Sequence, residues 1–478
     1  MKRFSRHLLA ALAVGCAALT AQAAAPRYIF YFIGDGMGLG PVMATETYNR
    51  MVHGKAVPNL TMTALPATGY AMTYSASSPV TDSAAAGTAL ATGNKTKNAM
   101  LGMNADTVAV TSIATILKEA GWGVGIVTNC AADDATPGAF YAHQPNRAMY
   151  YEIGRDFAAS GFDFLAGASL RGTTDKKTGA ATDLEEVLDQ AGVEILYGQK
   201  GAESVSSSSS RRIILVNPKG YGKHGANSGE TGYAVDNAGD DGEGLTLDIA
   251  MDACMTQLQK NSPDRFFMMI EGGLIDHSLH GDDGTTAVRE ILAFNGCIDR
   301  AMDFYAKHPE ETLIVITADH DTGGMAVGSP TTGYTANPAY VDDQRVSKGV
   351  FSDYCTALLK NRSIKRWEDM EAYLRDNLGF WDKVPLTEKQ TDKLKKAFED
   401  TFVNGVVNDE KGLYKTSNAF ATTVFGLYNQ VTGWGFVTTS HTGNPVPVYA
   451  IGDGASIFSR KQDNTDIPRA ILQLVTGK

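Results

Sequence analysis

Tyr28-Ile29-Phe30-Tyr31-Phe32-Ile33-Gly34-Asp35-Gly36-Met37-Gly38 is an apolar run of β-branched and aromatic residues that breaks into glycines around one aspartate. Such a run reads as a β-strand, with Asp35 at its carboxyl end. The arrangement recurs three times. Val124 to Thr128 precedes Asp134 and Thr136, Phe266 to Ile270 precedes Glu271, and Leu313 to Thr317 precedes Asp319-His320. In open α/β sheets that edge is where ligands bind.

The 478 residues are 43% hydrophobic and 20% charged, ordinary globular values that allow a large core and exclude disorder as the default. Residues of one apparent site are scattered over most of the chain, so residues 24–478 read as a single catalytic domain with insertions near 200–244 and 328–439. In the first, Ser204 to Ser210 is a serine run and Gly220 to Gly244 is rich in Gly, Asn and Asp, the composition of an exposed, mobile loop. The second has helix-like segments near Arg366 to Leu378, Thr387 to Phe402 and Ala419 to Val431, and is long enough for a cap or a dimer contact.

Lys2, Arg3 and Arg6 precede the apolar stretch Leu8 to Thr20, and Ala21-Gln22-Ala23 supplies a small-x-small cleavage pattern, so residues 1–23 read as a secretory signal peptide. The run is too short and alanine-rich for a membrane span. Gly15-Cys16 offers a lipid anchor as the second-ranked alternative. Export makes the chain periplasmic or secreted. The formal net charge is −11, and loss of the leader's three cations makes it more negative. Such a surface excludes nucleic acid as a specific partner and leaves a phosphate substrate to be attracted by local metal charge. Cys130, Cys254, Cys297 and Cys355 include no Cys-x-x-Cys pair, so thiolate zinc sites are not expected.

In Thr81-Asp82-Ser83-Ala84-Ala85-Ala86-Gly87-Thr88-Ala89, Ser83 opens an alanine-rich helix whose free amides and dipole favour a phosphate. Taken alone, Asp82 or Ser83 reads as a helix cap. The metal-ligand set changes that reading, because a serine hydroxyl needs a base or metal to act as a nucleophile. Asp276 and His280, four apart, can face one ion from one side of a helix. Asp319-His320 follow a separate strand, and His441, before the strand-like Val446 to Ile451, can complete either site. Carboxylate and imidazole donors suit catalytic zinc, and oxygen donors magnesium.

With these motifs in this order the chain resembles an alkaline phosphatase over nearly all of its mature length except the two insertions. The resemblance implies a three-layer α/β/α sandwich around a mostly parallel central sheet, and a homodimer. It implies two zinc ions, one held by Asp276, His280 and His441 and the other by Asp35, Asp319 and His320. It implies one magnesium on Asp35, Thr136 and Glu271, with Asp134 acting through water. Arg147, in Ala142-His143-Gln144-Pro145-Asn146-Arg147, matches the family's phosphate-clamping arginine, whose fork fits two phosphate oxygens. Ser83 is then the nucleophile of a phosphomonoesterase that works through a phosphoserine. His277 after Asp276 matches animal members whereas Asp134 matches bacterial ones, so the outer shell of the metal site is mixed.

A diesterase or sulfatase relative is the closest rival. The Asp-Ser-Ala context of Ser83 and the presence of Thr136, Glu271 and Arg147 argue against both. A non-catalytic zinc-binding protein would not need Ser83 or Arg147. Gly34 to Gly40 lacks the dinucleotide-binding spacing.

Overall fold

The computed structural model describes residues 25–54, 60–363, 366–406 and 408–477. The leader, its Cys16 and its cleavage site lie outside the described residues. Ten strands form one central sheet: β1 (Tyr28–Gly34), β2 (Ala67–Met72), β3 (Gly123–Thr128), β4 (Phe164–Gly167), β5 (Val193–Tyr197), β6 (Arg212–Val216), β7 (Phe266–Gly272), β8 (Thr312–Ala318), β9 (Val446–Ile451) and β10 (Lys461–Asp463). Their order is β10-β2-β9-β8-β1-β7-β3-β4-β6-β5. Every pairing is parallel except those of β9, which runs antiparallel to both β8 and β2.

The helices that concern the site are α1 (Leu39–His53), α2 (Ser83–Thr92), α3 (Ala135–Gly138), α4 (Leu247–Asn261), α5 (Leu274–His280) and α6 (Gly284–Tyr305). All of β1 is buried, as expected for an interior parallel strand. Its alternate side chains divide between two helical layers. Phe30 and Phe32 meet Phe304 and Phe294 of α6 edge-on, at 5.4 and 5.6 Å between ring centres. Between them Tyr31 points the other way, its hydroxyl donating to the Leu90 carbonyl of α2 at 3.4 Å. A sheet covered on both faces is the three-layer sandwich, and each fully buried side chain of this kind contributes about 1.5–3 kcal/mol.

Residues 346–431 bury a second hydrophobic core, containing Phe351, Leu374, Leu394 and Phe425 among others. It is built by α7 (Lys348–Asn361), α8 (Trp367–Leu378), α9 (Glu388–Phe398) and α10 (Ala419–Thr432). The last three coincide with the helical segments read from sequence, while α7 is additional. α11 (Asp466–Thr476) closes the chain.

The stretch around 200–244 differs from the mobile loop expected of it. Its serine run leads into Arg212–Val216, a strand inside the central sheet, because Ile213, Ile214, Leu215 and Val216 bury their side chains there. Further on, Glu230, Thr231 and Tyr233 are buried too. The four cysteines are buried free thiols.

Candidate active site

The site sits at the carboxyl edge of β1, β3, β7 and β8, where the sequence placed it. Asp35 follows β1, Glu271 ends β7 beside it, and Asp319-His320 follow β8. Gly36, at φ +69°, carries the chain past Asp35. A Cβ there would lie 2.8 Å from Asp276 Oδ1 and 2.9 Å from Thr322 Oγ1, so the turn has room for no side chain. Its amide donates to Asp319 Oδ1 at 3.1 Å.

Ser83 is the first residue of α2. Asp82 caps that helix, its Oδ1 accepting from the Ala85 amide at 3.0 Å, so the capping reading was right for Asp82 and leaves Ser83 unclaimed. Ser83 Oγ lies 3.2 Å from His320 Nε2. Gly87 lets α2 rest against α3, since a Cβ there would meet Thr136 Cα at 3.2 Å.

Two clusters of donor atoms converge beside Ser83. In the first, His280 Nδ1 lies 2.6 Å from the Thr439 carbonyl and His441 Nδ1 lies 2.8 Å from the Thr81 carbonyl. A carbonyl only accepts, so both Nδ1 atoms carry the proton, and a neutral ring then has a bare lone pair at Nε2. The two Nε2 atoms face each other 2.9 Å apart. Asp276 approaches them to 3.4 and 3.7 Å. Burial, with His441 close by, lowers the basicity of His280.

The second cluster is fully enclosed. The Thr322 hydroxyl donates to Asp276 Oδ1 at 2.5 Å, so its oxygen is left to accept from His320 Nδ1 at 3.2 Å. That orients His320 Nε2 as a third bare lone pair, with Asp35 Oδ1 at 3.3 Å and Asp319 Oδ2 at 3.2 Å. Burial pushes His320 well below its usual range and keeps it neutral. The His320 and His441 rings stack at 3.6 Å, joining the clusters. Asp276 belongs to both, its carboxylate lying within 4.8 Å of the ligand atoms of Asp35 and His320 as well.

These groups are arranged for cations. Asp35 Oδ1, Asp276 Oδ2, Asp319 Oδ2, Glu271 Oε2 and Thr136 Oγ1 are all buried without a hydrogen-bond partner. Burial together with the neighbouring acids Asp319, Asp276 and Glu271 holds Asp35 well above the ordinary carboxylate range, and burial beside Asp276 does the same to Asp319. Burial pushes Glu271 up to about 7. Buried acids with unused lone pairs stay ionised only beside compensating positive charge. The donors are imidazole and oxygen with no thiolate: Cys130, 3.6 Å from His277 Nε2, is kept protonated by burial. That set fits zinc at the two histidine-bearing clusters and magnesium at the all-oxygen group Asp35, Thr136 and Glu271.

Arg147 lies beside this edge. Its Nη2 is 3.2 Å from Asp134 Oδ1 and its Nη1 is 3.6 Å from Asp82 Oδ2. Its amide donates to the Ala99 carbonyl at 2.8 Å, and Ala99 sits at φ +73°, a strained conformation held at the margin of the site. The Ala99 amide in turn donates to Asp82 Oδ2 at 2.9 Å.

All eleven residues singled out from sequence are therefore brought to one edge. Asp134 has an occupation not foreseen: Oδ1 takes Arg147 and Oδ2 takes Arg171 Nη1 at 3.2 Å, and these two cations outweigh burial to keep it acidic. Sequence reasoning missed Arg171, Thr322, Tyr414 and Glu230, the partner of His277. His277 Nδ1 lies 2.7 Å from Glu230 Oε1, so His277 faces away from the donor clusters, and Tyr414 stacks on its ring at 3.7 Å. Thr322 carried a signal, since it stands two residues beyond His320, on the same side of an extended chain. The others reach the site from distant segments and carried none.

Comparison with known proteins agrees with this geometry. The alkaline phosphatase family model matches residues 27–164 and 230–476. The chain is 26% identical to alkaline phosphatase 4 of Bacillus subtilis (strain 168) over 463 residues, covering 95% of this chain and 89% of that protein. Its fold is similar to that of a cold-active alkaline phosphatase from the psychrophile Shewanella sp., with a TM-score of 0.76 at 24% identity, covering 94% and 99% of the two chains. It is also similar to a variant of the TAB5 alkaline phosphatase with Mg bound in its M3 site, at a TM-score of 0.63 and 23% identity, covering 95% and 99%. With a ligand-bearing sheet edge of this design and a family model spanning most of its length, the chain belongs to the alkaline phosphatase family.

Proposed function

We propose that this protein is an alkaline phosphatase that hydrolyses phosphate monoesters to an alcohol and inorganic phosphate through a phosphoserine at Ser83. The observation that carries the reading is the convergence of bare imidazole nitrogens and unpartnered carboxylate oxygens around a serine at a helix start. One zinc would be held by Asp276, His280 and His441, a second by Asp35, Asp319 and His320, and magnesium by Asp35, Thr136 and Glu271, with Asp134 behind it. When bound, these ions supply Lewis acidity that makes the Ser83 hydroxyl nucleophilic and offsets charge on the transferring phosphoryl and leaving oxygens.

The chain's own residues do the rest. Asp82 fixes the start of α2, which aims Ser83 Oγ and the first free amides of the helix at a phosphate. Arg147, steadied by Asp134, presents two N–H groups to two phosphoryl oxygens. Ser83 Oγ bonds to phosphorus as the bond to the alcohol oxygen breaks. Water then attacks the phosphoserine from the vacated side, returning Ser83 and releasing phosphate.

The leader at 1–23 supports export to the periplasm or medium, and among the described residues no helix is long and apolar enough to cross a membrane. Assembly as a homodimer belongs to the same proposal.

The test is hydrolysis of an aryl phosphate monoester beside the matching diester, before and after chelation and with zinc and magnesium restored. Monoester preference that vanishes with chelator and returns with both metals is the expected result. Diester preference, or bound zinc without turnover, would overturn the reading.

A further inference from the structure

Tyr414 reaches the active site from the second core. Glu410–Lys411 pair with Thr416–Ser417 in a small hairpin, and the Gly412 amide donates to the Lys415 carbonyl at 3.1 Å, so Leu413 and Tyr414 form a two-residue loop. Leu413 is 66% exposed, whereas Tyr414 turns inward. Both strands are pinned. Glu410 Oε2 accepts from Lys348 Nζ of α7 at 3.1 Å and from the Thr422 hydroxyl of α10 at 2.9 Å. Lys415 Nζ donates to the Gly349 carbonyl at 3.1 Å and to Asp353 Oδ2 at 2.6 Å. Lys348 Nζ also donates to the Gly281 carbonyl, immediately after α5, at 2.8 Å. One buried ammonium thus ties the hairpin to the helix that carries Asp276 and His280.

The Tyr414 ring is held, and its hydroxyl is not. Stacking on His277 at 3.7 Å and edge-on packing against His280 at 5.3 Å fix the ring over the rim of the site. The hydroxyl makes no hydrogen bond to any described residue. The arginines of this edge are by contrast engaged, Arg147 with Asp134 and Asp82, and Arg171 with Asp134. Burial, then Asp276, push the Tyr414 hydroxyl above its usual range, and Arg147 is the cation that draws it back. The phenol oxygen therefore stands between Asp276 and the Arg147 fork, where the transferring phosphoryl group is expected. His277, next to Asp276 in sequence, offers no donor there, because its Nδ1 is turned to Glu230. An enclosed phenol with its donor unused is a hydrogen bond awaiting an acceptor.

We infer that Tyr414 is a further catalytic residue, whose hydroxyl donates to a non-bridging phosphoryl oxygen beside the Arg147 fork. The inference rests on the hydrolytic reading above and adds to it a substrate contact supplied by the second core. The phenol keeps its proton throughout. It binds the charge on the phosphoryl oxygens and takes no part in the departure of the alcohol, so it acts alike on every ester.

Tyr414→Phe tests this, because it keeps both ring contacts and removes only the hydroxyl. Two measurements compare it with wild type, each on the full mature protein loaded with zinc and magnesium. The first is calorimetric binding of inorganic phosphate. The second is kcat/KM for aryl phosphates whose leaving groups differ in basicity. Phosphate affinity should fall about tenfold, the size of one hydrogen bond to a charged acceptor, and kcat/KM should fall by a similar factor across the whole series. Zinc content should not change. Unaltered phosphate affinity, or a loss of kcat/KM that grows with the basicity of the leaving alcohol, would overturn the inference. Zinc content falling in step with phosphate affinity would overturn it too, since the phenol would then act through His280. Weaker phosphate binding in the variant, with turnover in neither protein, would support the contact and sink the hydrolytic reading instead.

Discussion

The two histidine-bearing clusters differ in how they are held. His320 and Asp319 are wholly inaccessible, fixed at the end of β8 and oriented by the Thr322 hydroxyl. His441 is partly exposed, precedes the one antiparallel strand of the sheet, and is oriented by the Thr81 carbonyl on the Ser83 loop. One cluster is built into the parallel core of the sheet and the other is closed by a loop arriving late in the chain. The enclosed cluster should bind its ion tightly and hold Ser83, while the rim cluster should exchange its ion and admit leaving group and water.

The largest effect that sharpens this contrast is Ser83→Ala. Turnover should fall on the order of 10³-fold or more while both ions stay bound, as elemental analysis beside steady-state kinetics would record. Near-normal turnover would remove Ser83 from the nucleophile's role.

Next is His441→Ala, with which one ion should be lost from the rim cluster, the other retained, and kcat lowered about a hundredfold. Stepwise chelation of the wild-type protein should likewise show one fast and one slow loss. A single phase would break the distinction between the clusters.

Thr322→Val keeps size but removes the hydroxyl that sets the His320 tautomer. Metal affinity of the enclosed cluster should drop about 10–100-fold, read by competition with a chelator. Affinity unchanged in this variant would show that burial alone fixes the ring.

A separate effect, on stability alone, lies away from the clusters, on the far side of the 230–236 segment. Glu290 is buried, its Oε1 accepts from the Ala234 amide at 2.7 Å, and burial pushes its pKa from 4.5 up to about 8. A raised acid contributes stability that is complete below 4.5 and lost as pH rises toward 8. Glu290→Gln should therefore gain stability over wild type across that window by about 2–4 kcal/mol and level off above it, as chemical unfolding at several pH values would measure. A pH-independent difference would place the titration elsewhere.

Sequence made the enclosed cluster legible because its ligands follow strands that bury both faces. Ile29 to Ile33 and Leu313 to Thr317 are continuous apolar runs that end where the chemistry starts. The rim was harder. Asp276, His280 and His441 were visible as residue types, but the backbone carbonyls of Thr81 and Thr439 that orient the rings leave no trace in residue identity. Tyr414 and Arg171 arrive from irregular segments whose destination is set by tertiary packing. β6 was hidden for another reason: the serine run before it signals low complexity, while its apolar content is only the four residues Ile213 to Val216.

The hydrogen bond from His441 to Thr81 joins positions 360 residues apart. The rim cluster closed by this contact has no precursor in a partly made or partly folded chain, because its loop must be shut before that donor set is whole. The cation of that cluster therefore recognises only the finished molecule, and its free concentration biases the folding equilibrium by mass action. The ion content of the compartment in which the chain folds is then a determinant of yield as well as of catalysis.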